Sequence, residues 1–257
     1  PDDNFEQALI DLGYDDVLDD YVLTASISGV TSLSVVQKAI SDLTGIEGFT
    51  ALTELYCHIN QLSSLDVSSN TALTYLQCNN NRQLTSLDMS SNISLAFLDC
   101  RNNQLSSLDV SNNTALEYLN CNNTSLNDNN QITSLDLSNN TALTFLDCAL
   151  NQLTSLDVTN NTALDTLICN NNQLTSLDVS SNTALSVLWC HINQLTSLDV
   201  SSNTALTYLK CNNNQLTSLD LSNNTALTEL YCINSQLTSL DVSNNTALTD
   251  FNCSNNQ

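Results

Sequence analysis

Cysteine, aspartate and histidine are the residues whose kind and spacing could do chemistry here. Ten cysteines, Cys57, Cys78, Cys100, Cys121, Cys148, Cys169, Cys190, Cys211, Cys232 and Cys253, follow one another at intervals of 21, 22, 21, 27 and then five times 21 residues. An even number of thiols invites a disulfide framework. Bridging and metal-binding cysteines, however, come at irregular or clustered spacings, whereas one per period marks a position in an architecture. On an in-register parallel ladder the side chains of neighbouring coils run side by side and do not converge, so buried free thiols are expected. Zinc needs cysteine and histidine at short loop spacings, and the two histidines, His58 and His191, lie six periods apart. No metal site is expected from them.

Serine and aspartate recur as Leu-Asp-Val-Ser, yet both histidines follow a cysteine, on the other half of the period, so no base is in reach for a triad. All four glycines fall in the first fifty residues, which leaves no phosphate-cradling loop in the repeats. The remaining catalytic option is a carboxylate pair from Asp99 and Asp147, two coils apart. The expectation is a protein that is not an enzyme. Nine aspartates, Asp66, Asp88, Asp109, Asp136, Asp157, Asp178, Asp199, Asp220 and Asp241, form a second file. Unit charges spaced by about 5 Å repel by about 0.8 kcal/mol even in water, so the file needs relief. Bonds to neighbouring Ser and Thr hydroxyls with diffuse counterions provide it; the alternative is calcium held by adjacent carboxylates, with Asp136, Asp157 and Asp178 as candidates. No other cofactor is expected. The acidic loop of Asp15, Asp16, Asp19 and Asp20 lacks the glycine and alternation of a calcium loop and reads as solvated surface.

A repeat positions these files. One period is LTSLDVSNNTA followed by LTYLxCNNNQ, two half-units of the form L-x-x-L-x-(V/L/C)-x-x-N. The fourth and sixth residues share a face with period two, so Leu55 and Cys57, or Leu65 and Val67, point inward and their neighbours outward. One coil cannot bury its leucines alone, but a stack of coils can. The pattern resembles the leucine-rich-repeat family, signature L-x-x-L-x-L-x-x-(N/C)-x-L, and its nested 21-residue class sometimes called IRREKO, over residues 30–257. With the PDDNFEQALIDLG opening it is similar to extracellular leucine-rich-repeat proteins of Bacteroidetes. The expected fold is a mostly β leucine-rich-repeat solenoid of two facing parallel sheets, one of Cys strands and one of Asp strands, with little helix. Asparagine takes the turns: a column from Asn60 to Asn256, with Ser235 substituting once, and another from Asn70 to Asn245 are expected to form hydrogen-bonded ladders.

Residues 1–29 read as a helical cap, with Asp3-Asn4-Phe5-Glu6 as a capping box, Phe5, Ala8, Leu9 and Leu12 at helical spacing, and Gly13 as the stop. A lead-in repeat spans 30–51, about ten coils follow, and 30–257 with the cap is expected to be one cooperative unit. The far end is uncapped, which suggests a fragment of a longer protein or an end that pairs as a homodimer. Four Lys and Arg against 27 Asp and Glu give a net charge of −23, which disfavours nucleic acid and anionic membranes. No segment is apolar for long enough to insert in a membrane. The start at Pro1 fits a trimmed mature form, and an extracellular or cell-surface location is expected.

The copies also serve as one another's control. Beside the Asp file the outward residues are almost invariably Ser, Asp and Ser. Beside each cysteine they vary: Glu54, Tyr75, Phe97, Tyr118, Phe145, Thr166, Val187, Tyr208, Glu229, Asp250 in one column and Tyr56, Gln77, Asp99, Asn120, Asp147, Ile168, Trp189, Lys210, Tyr231, Asn252 in the next. Tolerance at exposed sites would have loosened both faces alike, so the Cys face is the expected binding face. Its candidate residues are Tyr56, Tyr75, Phe97, Arg101, Tyr118, Phe145, Trp189, Tyr208, Lys210 and Tyr231. The six-residue insertion at 124–129 is expected to bulge at the rim of that face. The functional expectation is a non-enzymatic recognition or adhesion module for a protein partner. The alternatives are polysaccharide binding through the aromatic rows and an adhesin stalk with a calcium-gathering Asp face.

Overall fold

Strands of three residues recur once per period in the computed structural model, which describes residues 2–124 and 130–257. The chain divides into two compact units, 1–132 and 133–257. In the first, helices α1 (Asp3–Asp11) and α2 (Thr24–Ile27) precede strands β1 (Ser32–Ser34), β2 (Glu54–Tyr56), β3 (Tyr75–Gln77), β4 (Phe97–Asp99) and β5 (Tyr118–Asn120). These strands pair in parallel and in chain order, Ser32 beside Glu54, Glu54 beside Tyr75, Tyr75 beside Phe97 and Phe97 beside Tyr118. The second unit holds β6 (Phe145–Asp147), β7 (Thr166–Ile168), β8 (Val187–Trp189), β9 (Tyr208–Lys210), β10 (Glu229–Tyr231) and β11 (Asp250–Asn252), likewise parallel and in order. Each unit is a stack of solenoid coils with very little helix, as the repeat predicts.

The middle residue of each strand and the cysteine after it point into the stack. Leu55, Cys57, Leu76 and Cys78 in the first unit and Leu188, Cys190, Leu209 and Cys211 in the second are fully buried; each buried leucine contributes about 2 kcal/mol from area removed from water. Nine cysteines are buried and Cys253 is exposed. Burial pushes the thiols of Cys57 and Cys190 up to about 12, so these cysteines act as small apolar residues.

Among the described residues the expected second sheet does not form. On the Asp side the ladder among the described residues is one isolated bridge, Asp66 to Asp88. The aspartate itself is the reason. Oδ1 of Asp66 accepts the N–H of Ser68 at 2.9 Å, and the same bond recurs from Asp88, Asp109, Asp136, Asp157, Asp178, Asp199, Asp220 and Asp241 to the residue two further on. A side chain that takes its own backbone N–H competes with a ladder for that donor. Two tight turns follow, Asn70 N–H to Val67 O and Leu73 N–H to Asn70 O, each 3.0 Å.

Both asparagine columns are ladders. Asn81 Nδ2 donates to Cys57 O (3.1 Å) and Cys78 O (2.8 Å), while its Oδ1 accepts Leu62 N–H (3.1 Å); Asn193 does the same with Cys169, Cys190 and Leu174. The other column donates twice: Asn203 Nδ2 reaches Val179 O at 2.9 Å and Asn182 O at 2.8 Å. The left-handed residue of the turn lies one place earlier than the first column. It is Asn80, Asn102, Asn171, Asn213, Asn234 and Asn255 in six coils, but Ile59, Leu150 and Ile192 in three others.

The cap differs in detail from its prediction. Asp2, one residue before the expected box, caps α1: its Oδ1 accepts the N–H of Asn4 (2.9 Å) and Phe5 (3.1 Å), and its Oδ2 accepts Ser41 N–H at 2.8 Å. Glu6 does not reach back to the cap. It is buried and accepts the N–H groups of Asp19 (2.7 Å) and Asp20 (2.9 Å), so it anchors the acidic loop. Phe5, Ala8 and Leu9 are buried, but Leu12 is exposed, because the helix ends before it. Gly13 is left-handed at φ 79°, as a helix stop requires. No helix among the described residues is long and apolar enough to cross a membrane.

Candidate functional site

The Cys strands carry every residue expected on the binding face except Arg101, which follows β4 at the end of its strand. All ten candidates are half-buried, with backbone fixed by the ladder and side chains reaching out between neighbours. The strand spacing of about 4.8 Å then decides which side chains can touch.

In the first unit it brings the rings against each other. Tyr75 and Phe97 stack with centroids 4.0 Å apart and planes 8° from parallel, and Phe97 and Tyr118 at 4.2 Å and 7°. Tyr56 joins from the other outward column at 5.0 Å and 37°, a contact that reading each column separately misses. These rings cover one another's faces and present edges, which is how an aromatic file stiffens a sheet. A sugar platform would need free faces. The polar groups beside them are likewise matched. Tyr56 Oη donates to Glu54 Oε2 at 3.3 Å, and Arg101 Nε lies 3.5 Å from Asp99 Oδ2. Asp99 also accepts the Arg101 N–H at 3.3 Å. Asp99 and Asn120 lie on an outward column yet are buried. Burial raises the Asp99 carboxyl above its ordinary 3.8, with Arg101 opposing.

In the second unit the rings cluster differently. Phe145 opens β6, and further along Trp189 and Tyr208 meet edge to face at 5.5 Å and 70°, with Tyr208 and Tyr231 at 6.1 Å and 45°. The ammonium of Lys210 sits among all three, 4.2 Å from the Trp189 centroid, 4.9 Å from Tyr208 and 5.3 Å from Tyr231. Partly desolvated cation–π contacts contribute about 1 kcal/mol each. Tyr231 Oη donates to Asp250 Oδ2. His191 packs at 6.4 Å from Trp189; burial first and the Lys210 charge second lower its imidazole to about 4. A neutral ring therefore flanks the cluster at physiological pH.

The rim carries what sequence reasoning overlooked. Ile59 and Ile192 occupy the left-handed turn position at φ 57° and 54° with side chains 45 % and 43 % exposed. A β-branched residue pays about 1–2 kcal/mol there, and Asn fills the same place in six coils. The signal was legible in the sequence: Cys-His-Ile-Asn-Gln-Leu occurs twice, from Cys57 and from Cys190, each after an aromatic residue. The expected rim loop lies largely outside the described residues, since 125–129 are not among them, but its base is closed. Asn123 Nδ2 donates to Asn130 O at 2.9 Å and Asn130 N–H to Asn123 Oδ1 at 3.0 Å. Asn130 itself takes the ladder position, bonding Cys100 O and Cys121 O at 3.2 Å.

The calcium candidates Asp136, Asp157 and Asp178 each turn one oxygen back to their own backbone. Local bonds to Thr159 and Ser180 lower the carboxyls of Asp157 and Asp178, against their neighbours' repulsion in the second case. Among the described residues no three His, Cys, Asp or Glu side chains converge as a metal group would require.

No family model matches the chain. It is 43 % identical over 71 residues to Internalin J of Listeria monocytogenes serotype 4b (strain F2365), a stretch covering 28 % of this chain and 8 % of that protein. The solved functional domain of InlJ from Listeria monocytogenes, described as including a cysteine ladder, matches with a TM-score of 0.92 at 43 % identity over 100 % of this chain and 55 % of that one. The internalin InlF of the same species matches at TM-score 0.62 and 26 % identity, covering 100 % of this chain and 90 % of that one. A Leptospira interrogans leucine-rich-repeat protein, at 0.69 and 23 %, covers 82 % of this chain and 57 % of its own and shares the fold alone. The chain thus spans about half of the InlJ domain and a small part of Internalin J. It is a leucine-rich-repeat solenoid similar to bacterial internalins.

Proposed function

We propose that this chain is a non-enzymatic recognition module, extracellular or on a bacterial cell surface, that binds a protein partner through the face of its Cys strands. The observation that carries the reading is the contrast between the two sides of each coil. The Asp side repeats one self-satisfied Asx turn nine times. The Cys side holds an equally regular backbone but changes its outward residues from coil to coil. A constant frame with varied aromatic and charged side chains is the composition of protein interfaces. Similarity to internalins of Listeria monocytogenes supports an adhesion role. The nested 21-residue period and the acidic composition support the narrower kinship with extracellular bacterial repeat proteins.

Polysaccharide binding is the competing reading, and the geometry counts against it in the first unit, where ring faces cover one another. A glycan array, a displayed peptide library and a calcium titration of thermal stability separate the readings. Peptide binders whose affinity falls about ten-fold or more with Trp189→Ala or Phe97→Ala are expected. Glycan binding lost in the same variants would replace the protein partner by a sugar. A calcium-dependent rise in Tm abolished by Asp157→Asn would favour the stalk.

A further inference from the structure

The two units treat the same face differently. In the first, the strand-end cation Arg101 is matched by Asp99 and the rings are stacked on each other. In the second, Lys210 is the sole Lys or Arg of residues 133–257, against ten Asp and Glu. Among the described residues it has no carboxylate within ion-pair distance, the two ion pairs being Lys38 with Asp11 and Arg101 with Asp99. Three rings hold its ammonium in place instead. One coil earlier, Ile192 exposes an apolar side chain from a backbone conformation that disfavours it. A pre-positioned, unneutralised cation on an aromatic bed beside a strained, exposed aliphatic residue spends stability on surface that folding does not need.

We infer that Lys210, on its bed of Trp189, Tyr208 and Tyr231, together with Ile192, is the anchor point for an acidic peptide segment of the partner: an Asp or Glu carboxylate seated on Lys210 and a large apolar side chain against Ile192. Charge complementarity selects this occupant, because a basic segment would meet the ammonium and a purely apolar one would bury it unpaired. Three residue steps along the chain and one strand spacing separate Lys210 from Ile192, at most roughly 11 Å. An extended segment therefore spans them with its carboxylate and apolar residue about three positions apart.

This rests on the protein-partner reading above, and the test separates the two. Random twelve-residue peptides displayed on phage are selected on the whole chain, and the winners are measured as synthetic peptides. Winners rich in Asp or Glu near an apolar residue are expected. Their affinity should fall about ten-fold or more with Lys210→Met, stay within about two-fold with Lys210→Arg, and fall with the peptide's carboxylate changed to its amide. Ile192→Asn should weaken binding while raising Tm, a pair of opposite signs that a merely structural role would not produce. Winners that lose affinity with Tyr118→Ala or Trp189→Ala but not with Lys210→Met and Ile192→Asn would overturn this anchor and leave the face as the interface. No winners, or winners indifferent to every substitution on the Cys face, would overturn both.

Discussion

At the scale of single residues, identical backbone surroundings give opposite chemistry according to what lies one strand away. Cys57 and Cys190 are thiols in type, but full burial lifts them to about 12, so the thiolate that reacts is absent at neutral pH. Titration of the native chain with a thiol reagent should therefore label Cys253 rapidly and the nine buried cysteines only on unfolding. Several fast-reacting thiols would refute the inward register of the column. Asp99 and the aspartates of the Asp file diverge likewise: burial raises the first, while bonds to Ser201 lower Asp199. For Asp99, whose folded value lies above the unfolded one, the contribution to stability is present below the ordinary 3.8 and is lost as pH rises through the folded value. Asp99→Asn should consequently raise Tm near neutral pH, with the gain vanishing as the pH approaches 4. An unchanged difference across that window would show that the buried carboxyl is not the titrating cause.

At the scale of elements, strands of three residues cannot carry the fold, and the turns between them do much of the work. The asparagines of the first column tie neighbouring coils together, as Asn193 does with Cys169, Cys190 and Leu174, and the run has one gap. Ser235 stands where Asn belongs, and its hydroxyl is buried without a partner. Ser235→Asn should let the amide bond Cys211 O, Cys232 O and Leu216 N–H as Asn214 does one coil earlier with Cys190, Cys211 and Leu195. At about 1 kcal/mol net per bond, a gain of about 1–3 kcal/mol in urea unfolding is expected, and Asn193→Ser should lose a similar amount. No gain would mean that the coils around Ser235 have relaxed away from the ladder. The missing second sheet is the same lesson in reverse. Leu-Asp-Val alternates as a strand does, and period-two burial is indeed kept at Leu198 and Val200, but the aspartate claims the donor the ladder would use.

At the scale of the whole molecule, a net charge of −23 sets the response to solvent. Self-repulsion opposes the compact state, so added salt should raise Tm, most steeply at low ionic strength where the Debye length is about 30 Å. The aspartates of the Asp file respond to acid in the other direction. The carboxyls of Asp66, Asp88, Asp109, Asp157, Asp178, Asp199, Asp220 and Asp241 are lowered by the Ser or Thr two residues on. Their stabilising contribution is thus present above the ordinary 3.8 and is lost as pH falls through the lower folded values. Unfolding by acid should set in below about pH 4, and a chain that only gained stability on acidification would show that repulsion outweighs the turns. The sequence by itself determined the period, the inward columns, the asparagine ladders and the side of each coil that varies, because these follow from alternation and repetition along one strand of text. Tertiary structure alone decided that Tyr75, Phe97 and Tyr118 spend their faces on each other, and that Lys210 is held by rings with no carboxylate at ion-pair distance among the described residues. Those outcomes are contacts between residues about 21 apart, chosen by side-chain rotamers across a gap of about 4.8 Å, and no pattern within a single coil encodes them.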